Sequence, residues 1–446
     1  MPAATRRAFV LGSIGLAAMP LKSRAQSGDF DVAIVGAGAA GLACARECAR
    51  LGASYVLVEA RPRIGGRVFT DGSMGAPFDA GAVYIHWSER NPWTAIAAER
   101  GVATVDSDSL PNHSRFYADD LPKDRPRRRA SFATLDSLFD TEVAPVPDVS
   151  LLDRVGEDPD LGRGAHAIGR MAIGDEPERI SALDYARLWS GTDLLVPTGY
   201  GALVSAYGAD LPVRLSTPVT RIGWGGTGVA LETTAGRISA RTAVVTVPVG
   251  VLKAEKIAFD PPLPRETLSA LDGLAMGALT KIGLRFDGTR FGVATGTDLW
   301  DQIGERAGFD FECWTFDRDL VVVYCGGDHA RALCRLGETA AVEEVTARFG
   351  KLVGADARAH LVKGRLFDWV DAPFSLGAYS HALPGHAEAR AALAQPIGDR
   401  LFFAGEAVGA ESPADLGGGA MTAGGAFISG RAAARRAVAA ARSTRG

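Results

Sequence analysis

Behind Asp31, the chain runs Val32-Ala33-Ile34-Val35 without a polar residue, which reads as a buried parallel strand. Gly36 to Gly41 interrupt it, and the stretch from Leu42 to Leu51 then reads as a helix. A second apolar run, Tyr55 to Val58, predicts another strand and ends at Glu59. Strand-like runs return at Pro212–Leu215, Val229–Thr233, Ala243–Val247 and Leu279–Phe286, and the Ala-rich stretch Gly425–Ala441 is helical by propensity. Segment 119–130 is highly charged and broken by prolines, so it reads as a solvated loop. No repeat and no long low-complexity tract interrupts this α/β order.

Composition sets bounds on what such a chain can be. Its 446 residues are 47% hydrophobic and 22% charged, enough for a large core and for more than one domain. A net charge of −4 leaves no nucleic-acid footprint. Five cysteines form neither a CxxC pair nor a Cys/His zinc spacing, so no metal site is expected. Cys44 and Cys48, one helical turn apart in an apolar stretch, read as small core residues.

The N-terminus reads as an address. Thr5-Arg6-Arg7-Ala8-Phe9-Val10-Leu11 is a twin-arginine pattern, a weakly apolar stretch runs from Leu11 to Leu21, and Ser23-Arg24-Ala25 has the form of a cleavage site. Residues 1–25 are thus expected to be a signal peptide for the twin-arginine export machinery, with the mature protein in the periplasm. The apolar run is too short to span a membrane, and no later segment reads as a span.

The chemistry begins where the first strand ends. Gly36, Gly38 and Gly41, with Ala40 before the last glycine, stand between a predicted strand and a predicted helix. Such glycines allow the tight turn, the backbone's close approach to a pyrophosphate and the helix–strand packing of a dinucleotide site. The helix N-terminus turns amides and dipole to the phosphates, and Glu59 offers a carboxylate to ribose hydroxyls. Ala60, Arg61, Gly65, Gly66 and Arg67 follow at once. This Gly-Gly-Arg resembles the second motif of FAD-binding oxidoreductases, in which the arginine contacts the cofactor's phosphate region. The expected fold is therefore a Rossmann-like FAD-binding domain with an interleaved α+β substrate-binding domain. Segments 28–87, 206–290 and 385–446 are assigned to the first, and 88–205 and 291–384 to the second.

Further matches follow along nearly the whole mature chain. Asp79-Ala80-Gly81-Ala82 runs on to His86-Trp87; Leu211 to Ile222 contains Val219; Ala243 to Lys253 contains Pro248. Asp368-Trp369 leads to Gly377-Ala378-Tyr379-Ser380, and Leu401 to Gly405-Glu406 comes before Thr422 and Gly425-Ala426. In this order they resemble the flavin amine oxidases: monoamine oxidases, polyamine oxidases and lysine-specific histone demethylases. The resemblance implies FAD held by these segments, with Val219 at the adenine and Trp369, Ala378, Glu406, Gly425 and Ala426 at the flavin wall. It implies non-covalent FAD, because Ala378 stands where monoamine oxidases attach it through cysteine.

The same resemblance implies three catalytic residues. Lys281, mid-strand in an apolar run, matches a lysine that holds a water at flavin N5. Tyr379 matches one wall of an aromatic cage, and Thr422 stands where the other aromatic would be, leaving the cage half open. A small-molecule amine would give a hydride to N5, and the imine would hydrolyse to an aldehyde. The flavin would pass its electrons to oxygen or to a periplasmic carrier. An amine dehydrogenase and a non-catalytic amine-binding flavoprotein are the alternatives. His86 reads either as tunnel lining or as packing, and Glu411 and Asp415 either as partners of a distal ammonium or as loop acids.

Overall fold

The computed structural model describes residues 30–110, 115–117, 133–301, 308–409 and 419–443. The twin-arginine stretch, the 119–130 loop, Glu411 and Asp415 lie outside these residues.

Strand β1 (Phe30–Val35) is central to an eight-stranded sheet, parallel to β2 (Tyr55–Val58) on one side and to β3 (Gly236–Val245) on the other. Beyond β3 come Val229–Thr233, Val219–Gly223 and Ala258–Asp260, and Leu401–Phe403 joins the end of β3. Side chains of β1 alternate between two cores, as a strand covered on both faces must. Val32 and Ile34 pack under helix α1 (Ala39–Arg50) and helix α2 (Ala423–Ser443), whereas Ala33 and Val35 face Val219, Leu231 and Phe403. A Cβ on Gly430 would lie 2.1 Å from the Ala40 carbonyl oxygen, so glycine alone lets α2 approach the start of α1 this closely. Cys44 and Cys48 are free thiols inside this core.

The second large sheet has six strands. Strand β4 (Leu279–Phe286) pairs antiparallel with β7 (Leu320–Gly326) and β8 (Leu361–Phe367). β7 continues to β6 (Phe309–Cys313) and β5 (Thr297–Asp301). One face carries Ile282, Leu284, Phe311, Val321 and Val323 into a core with Leu333, Val345 and Phe349 of the helices at Gly327–Leu336 and Glu338–Val353. The opposite face carries Lys281, Tyr324 and Asp310 in one cross-strand row, with Glu312 beside Asp298 in the next.

The expected strands and helices are present, with differences in extent and pairing. Ala243–Val247 is the end of a longer strand whose first half pairs with Val229–Thr233. Leu279–Phe286, grouped in the sequence with the cofactor segments, pairs as a strand within the second sheet. An apolar run specifies a buried strand but not its partners, which lie far along the chain at Leu320–Gly326 and Leu361–Phe367. Among the described residues no helix is long and apolar enough to cross a membrane.

Candidate functional site

The two sheets enclose one large cavity of about 1560 Å³. At one end β1 delivers the chain into Gly36, whose φ of +103° only glycine adopts readily. A Cβ there would meet Thr246 Oγ1 at 2.6 Å, and one on Gly41 would meet the Gly36 carbonyl oxygen at 1.8 Å. Gly38 precedes α1 with no side chain capping the helix, so the first-turn amides remain for a ligand. Gly66, with φ +59°, lies against Gly38, a Cβ upon it falling 3.2 Å from the Gly38 Cα. The result is a bare cradle of backbone.

Glu59 closes the cradle at the end of β2. Its Oε2 accepts from the Ala37 amide at 2.7 Å and its Oε1 from the Arg61 amide at 2.8 Å. Each oxygen keeps lone-pair capacity for a hydroxyl. Arg61 reaches away, to the Phe374 carbonyl at 3.1 Å and Ser375 Oγ at 2.8 Å, and burial lowers its pKa. Arg67 donates to the Ala378 carbonyl at 2.8 Å and pairs with Glu406 at 3.0 Å. Glu406 in turn accepts from Ser380, at 2.7 Å from the hydroxyl. The arginine expected at the phosphates is thus tied to the segments carrying Ala378 and Glu406. Trp369 Nε1 donates to the Ala80 carbonyl at 2.8 Å, and a Cβ on Gly81 would lie 1.7 Å from the Arg67 carbonyl oxygen. These contacts weld five separated stretches into one wall.

At the other end of the wall, Lys281 projects from β4. Its Nζ donates to the Asp79 carbonyl at 3.0 Å and the Gly81 carbonyl at 2.6 Å, and lies 5.0 Å from the Tyr324 ring centroid. Burial lowers its pKa to about 8, against the opposing pull of Asp79 and Glu312. Tyr379 donates its hydroxyl to the Ala172 carbonyl at 2.8 Å, fixing the ring, and burial raises its pKa well above the ordinary phenol value. Thr422 Oγ1 accepts from the Gly425 amide at 3.0 Å, the geometry of an N-cap for α2, and donates to the Gly419 carbonyl. The hydroxyl at the open half of the cage is therefore engaged with backbone.

Lys281, Tyr379 and Thr422 line this one cavity together with Gly36, Gly38, Ala40, Glu59, Ala60, Arg61, Gly66, Arg67, Gly81, Ala82, Val219, Trp369, Ala378, Gly405, Glu406 and Ala426. Gly41 and Gly425 do not line it. Both act by close packing, since a Cβ on Gly425 would sit 1.7 Å from the Gly419 carbonyl oxygen. His86 lines the cavity and is held by Asp193, Nδ1 to Oδ2 at 2.8 Å.

Several participants escape the sequence reading. Thr246 donates to the Val35 carbonyl at 2.8 Å and walls the glycine turn. Tyr84 and Tyr324 each donate to Glu312 at 3.0 Å, behind Lys281. Burial raises the pKa of Glu312, of Asp310 strongly, and of Asp298 to about 7, the latter two also repelled by Glu312. The one available signal was the alternation of Asp310 and Glu312 with apolar residues in 309–313.

Comparison with known proteins adds to this geometry. Residues 39–438 match the model of the family described as flavin containing amine oxidoreductase. A probable polyamine oxidase of Arabidopsis thaliana is 28% identical, over 91% of this chain and 86% of its own. The cyclohexylamine oxidase from Brevibacterium oxydans shares the fold at a TM-score of 0.74 and 24% identity, covering 94% of this chain and 100% of its own. A wild-type putrescine oxidase bound to putrescine does so at a TM-score of 0.73 and 21% identity, with 92% of this chain and 99% of the other covered.

Proposed function

The chain belongs to the flavin-containing amine oxidoreductases, and on that footing we propose that it binds FAD non-covalently and oxidises a primary or secondary amine between Tyr379 and Thr422. The observation that carries this reading is Lys281, a buried ammonium directed into the same cavity as the glycine cradle. The residues fit the dinucleotide: an uncapped helix start for the pyrophosphate, a cradle that any Cβ would fill, and Glu59 for ribose hydroxyls. Val219 would face the adenine, and Trp369, Ala378 and Glu406 the ring system. Ala378 offers no nucleophile for a covalent link.

A bound flavin supplies the acceptor for the hydride leaving the amine's α-carbon and returns the electrons to oxygen as hydrogen peroxide. The rest falls to the protein. Tyr379, its hydroxyl held by Ala172, presents an aromatic face that aligns the neutral amine. Lys281 presents an N–H to a water beside the reacting atoms, and its pKa of about 8 lets it exchange a proton near neutral pH. The imine left by hydride loss takes up water and gives an aldehyde, or a ketone where the α-carbon lies in a ring, with ammonia or a shorter amine. The substrates named for the similar proteins, putrescine and cyclohexylamine, are both amines without an α-carboxylate. Export to the periplasm through the twin-arginine machinery completes the proposal, supported by Arg6-Arg7 and the Ser23-Arg24-Ala25 site.

The test is an anaerobic absorbance scan of the purified protein mixed with amines in turn. Bleaching of oxidised flavin by an amine, with peroxide formed on admitting air, supports the proposal. A flavin spectrum unmoved by every amine overturns it, and bleaching that yields no peroxide replaces oxygen with another acceptor.

A further inference from the structure

We propose that Trp87 and Trp189 form the wall that selects the substrate, and that the preferred amine carries one ammonium on an aromatic or alicyclic body. The inference rests on the reading above and names the class of amine that site takes.

Trp87 stands at φ +53°, a left-handed conformation that costs energy for a bulky side chain. The surroundings hold it there. Its amide donates to Asp193 Oδ1 at 3.1 Å, while Asp193 Oδ2 bonds His86 Nδ1 at 2.8 Å. The Ser88 amide donates to the Thr192 carbonyl at 2.8 Å, and the Thr192 amide returns to Glu89 Oε1 at 3.0 Å. Two loops, 86–90 and 189–193, are thereby laced together. The lacing places the indoles edge to face, 6.0 Å between centroids at 77°, and both line the cavity. Arg90 lies 5.5 Å over the Trp189 ring centroid, a cation–π contact that helps hold that indole. Phe139 and Tyr185, themselves edge to face at 5.2 Å, extend the same apolar lining.

Charge argues in the same direction. A polyamine carries an ammonium every few carbons, and each one taken from water needs a carboxylate. Among the described lining residues, Glu59 and Glu406 are engaged at the cradle and Asp193 holds His86 and Trp87. Asp136, Asp140 and Glu142 are exposed, on the segment beside Phe139. Glu312 is covered by the hydroxyls of Tyr84 and Tyr324. Arg90 lines the same space and repels a second cation, and Arg187, also in the lining, is paired with Glu388. An apolar body meets the edge-to-face indoles there, whereas among the described residues a chain of ammonium groups finds unengaged carboxylates only on the exposed segment of Asp136, Asp140 and Glu142.

The holoprotein is titrated anaerobically with phenethylamine, cyclohexylamine, ethylamine and spermidine. Two signals are followed: the shift of the oxidised flavin spectrum on binding, and the bleaching rate. In the wild type, phenethylamine or cyclohexylamine should bind at least roughly tenfold more tightly than spermidine, the scale of discrimination an apolar pocket supplies. W189A and W87G should each erase roughly tenfold of the preference for the bulky amines over ethylamine. Glycine adopts φ +53° without strain, so W87G removes the indole while easing the backbone. If W87G loses flavin, W189A alone decides. Tighter binding of spermidine than of both bulky amines overturns the inference, as does a preference over ethylamine that neither variant changes twofold. Tight binding of the bulky amines without bleaching leaves the wall standing and removes the reaction geometry proposed above.

Discussion

Replacing Lys281 with Met keeps the length of the side chain and removes a charge that the fold holds at a cost. Burial brings the lysine from its ordinary 10.5 to about 8, which corresponds to about 3 kcal/mol against the charged form. The folded pKa is the lower one, so the unfolded chain binds more protons between pH 8 and 10.5, and stability must rise with pH across that window. Between pH 7.5 and 9.5 the wild type should gain about 2 kcal/mol relative to K281M. The assay is urea unfolding of flavin-stripped protein at both pH values, so that cofactor affinity does not enter. Titrating groups remote from Lys281 are common to both proteins and cancel in the comparison; Asp79 and Glu312, which interact with its charge, do not. In the same window the bleaching rate of wild type with amine should show an ionisation near 8 that K281M lacks. Parallel stability curves together with parallel rate profiles would refute both the burial argument and a part for Lys281 in the reaction.

Three further expectations follow from particular contacts. G41A should purify with less than about a tenth of its flavin, read as the ratio of flavin to protein absorbance, because the new methyl meets the Gly36 carbonyl oxygen at 1.8 Å. R390M should lose about 3–5 kcal/mol in urea unfolding, since it strands the buried Asp184 carboxylate that Arg390 engages at 2.7 and 2.9 Å. R6K/R7K, changing Arg6 and Arg7 together, should hold the protein in the cytoplasm, flavin-loaded, as measured by fractionation; unaltered periplasmic recovery would remove the export proposal.

How much of this was legible in the sequence depends on whether a residue acts through its neighbours in the chain or across the fold. Gly36, Gly38 and Glu59 lie close together in the chain and their spacing placed them on one cradle, whereas Gly66 was found through the resemblance of Gly65-Gly66-Arg67 to a known motif. Lys281 could be found because an ammonium mid-strand in an apolar run needs a reason. Thr246 could not, because its partners Val35 and Gly36 lie some two hundred residues earlier. Asp310 and Glu312 of β6 alternate as a solvated strand face would, yet that face turns inward toward Lys281 and Tyr324. Period-two patterning separates the two faces of a strand and is silent on what covers each. Trp87 carried no signal, since only the folded backbone discloses its positive φ.

The contact of Gly430 with Ala40 has a consequence for the order of events during synthesis. The glycines of the dinucleotide cradle lie between Gly36 and Gly66, yet the helix that backs it, Ala423–Ser443, is translated long afterwards. A nascent chain still threaded through the ribosome has every glycine of the cradle and nothing to press α1 into place. Capture of the flavin therefore waits for α2, and a stop codon ahead of Gly430 should leave an otherwise long polypeptide colourless.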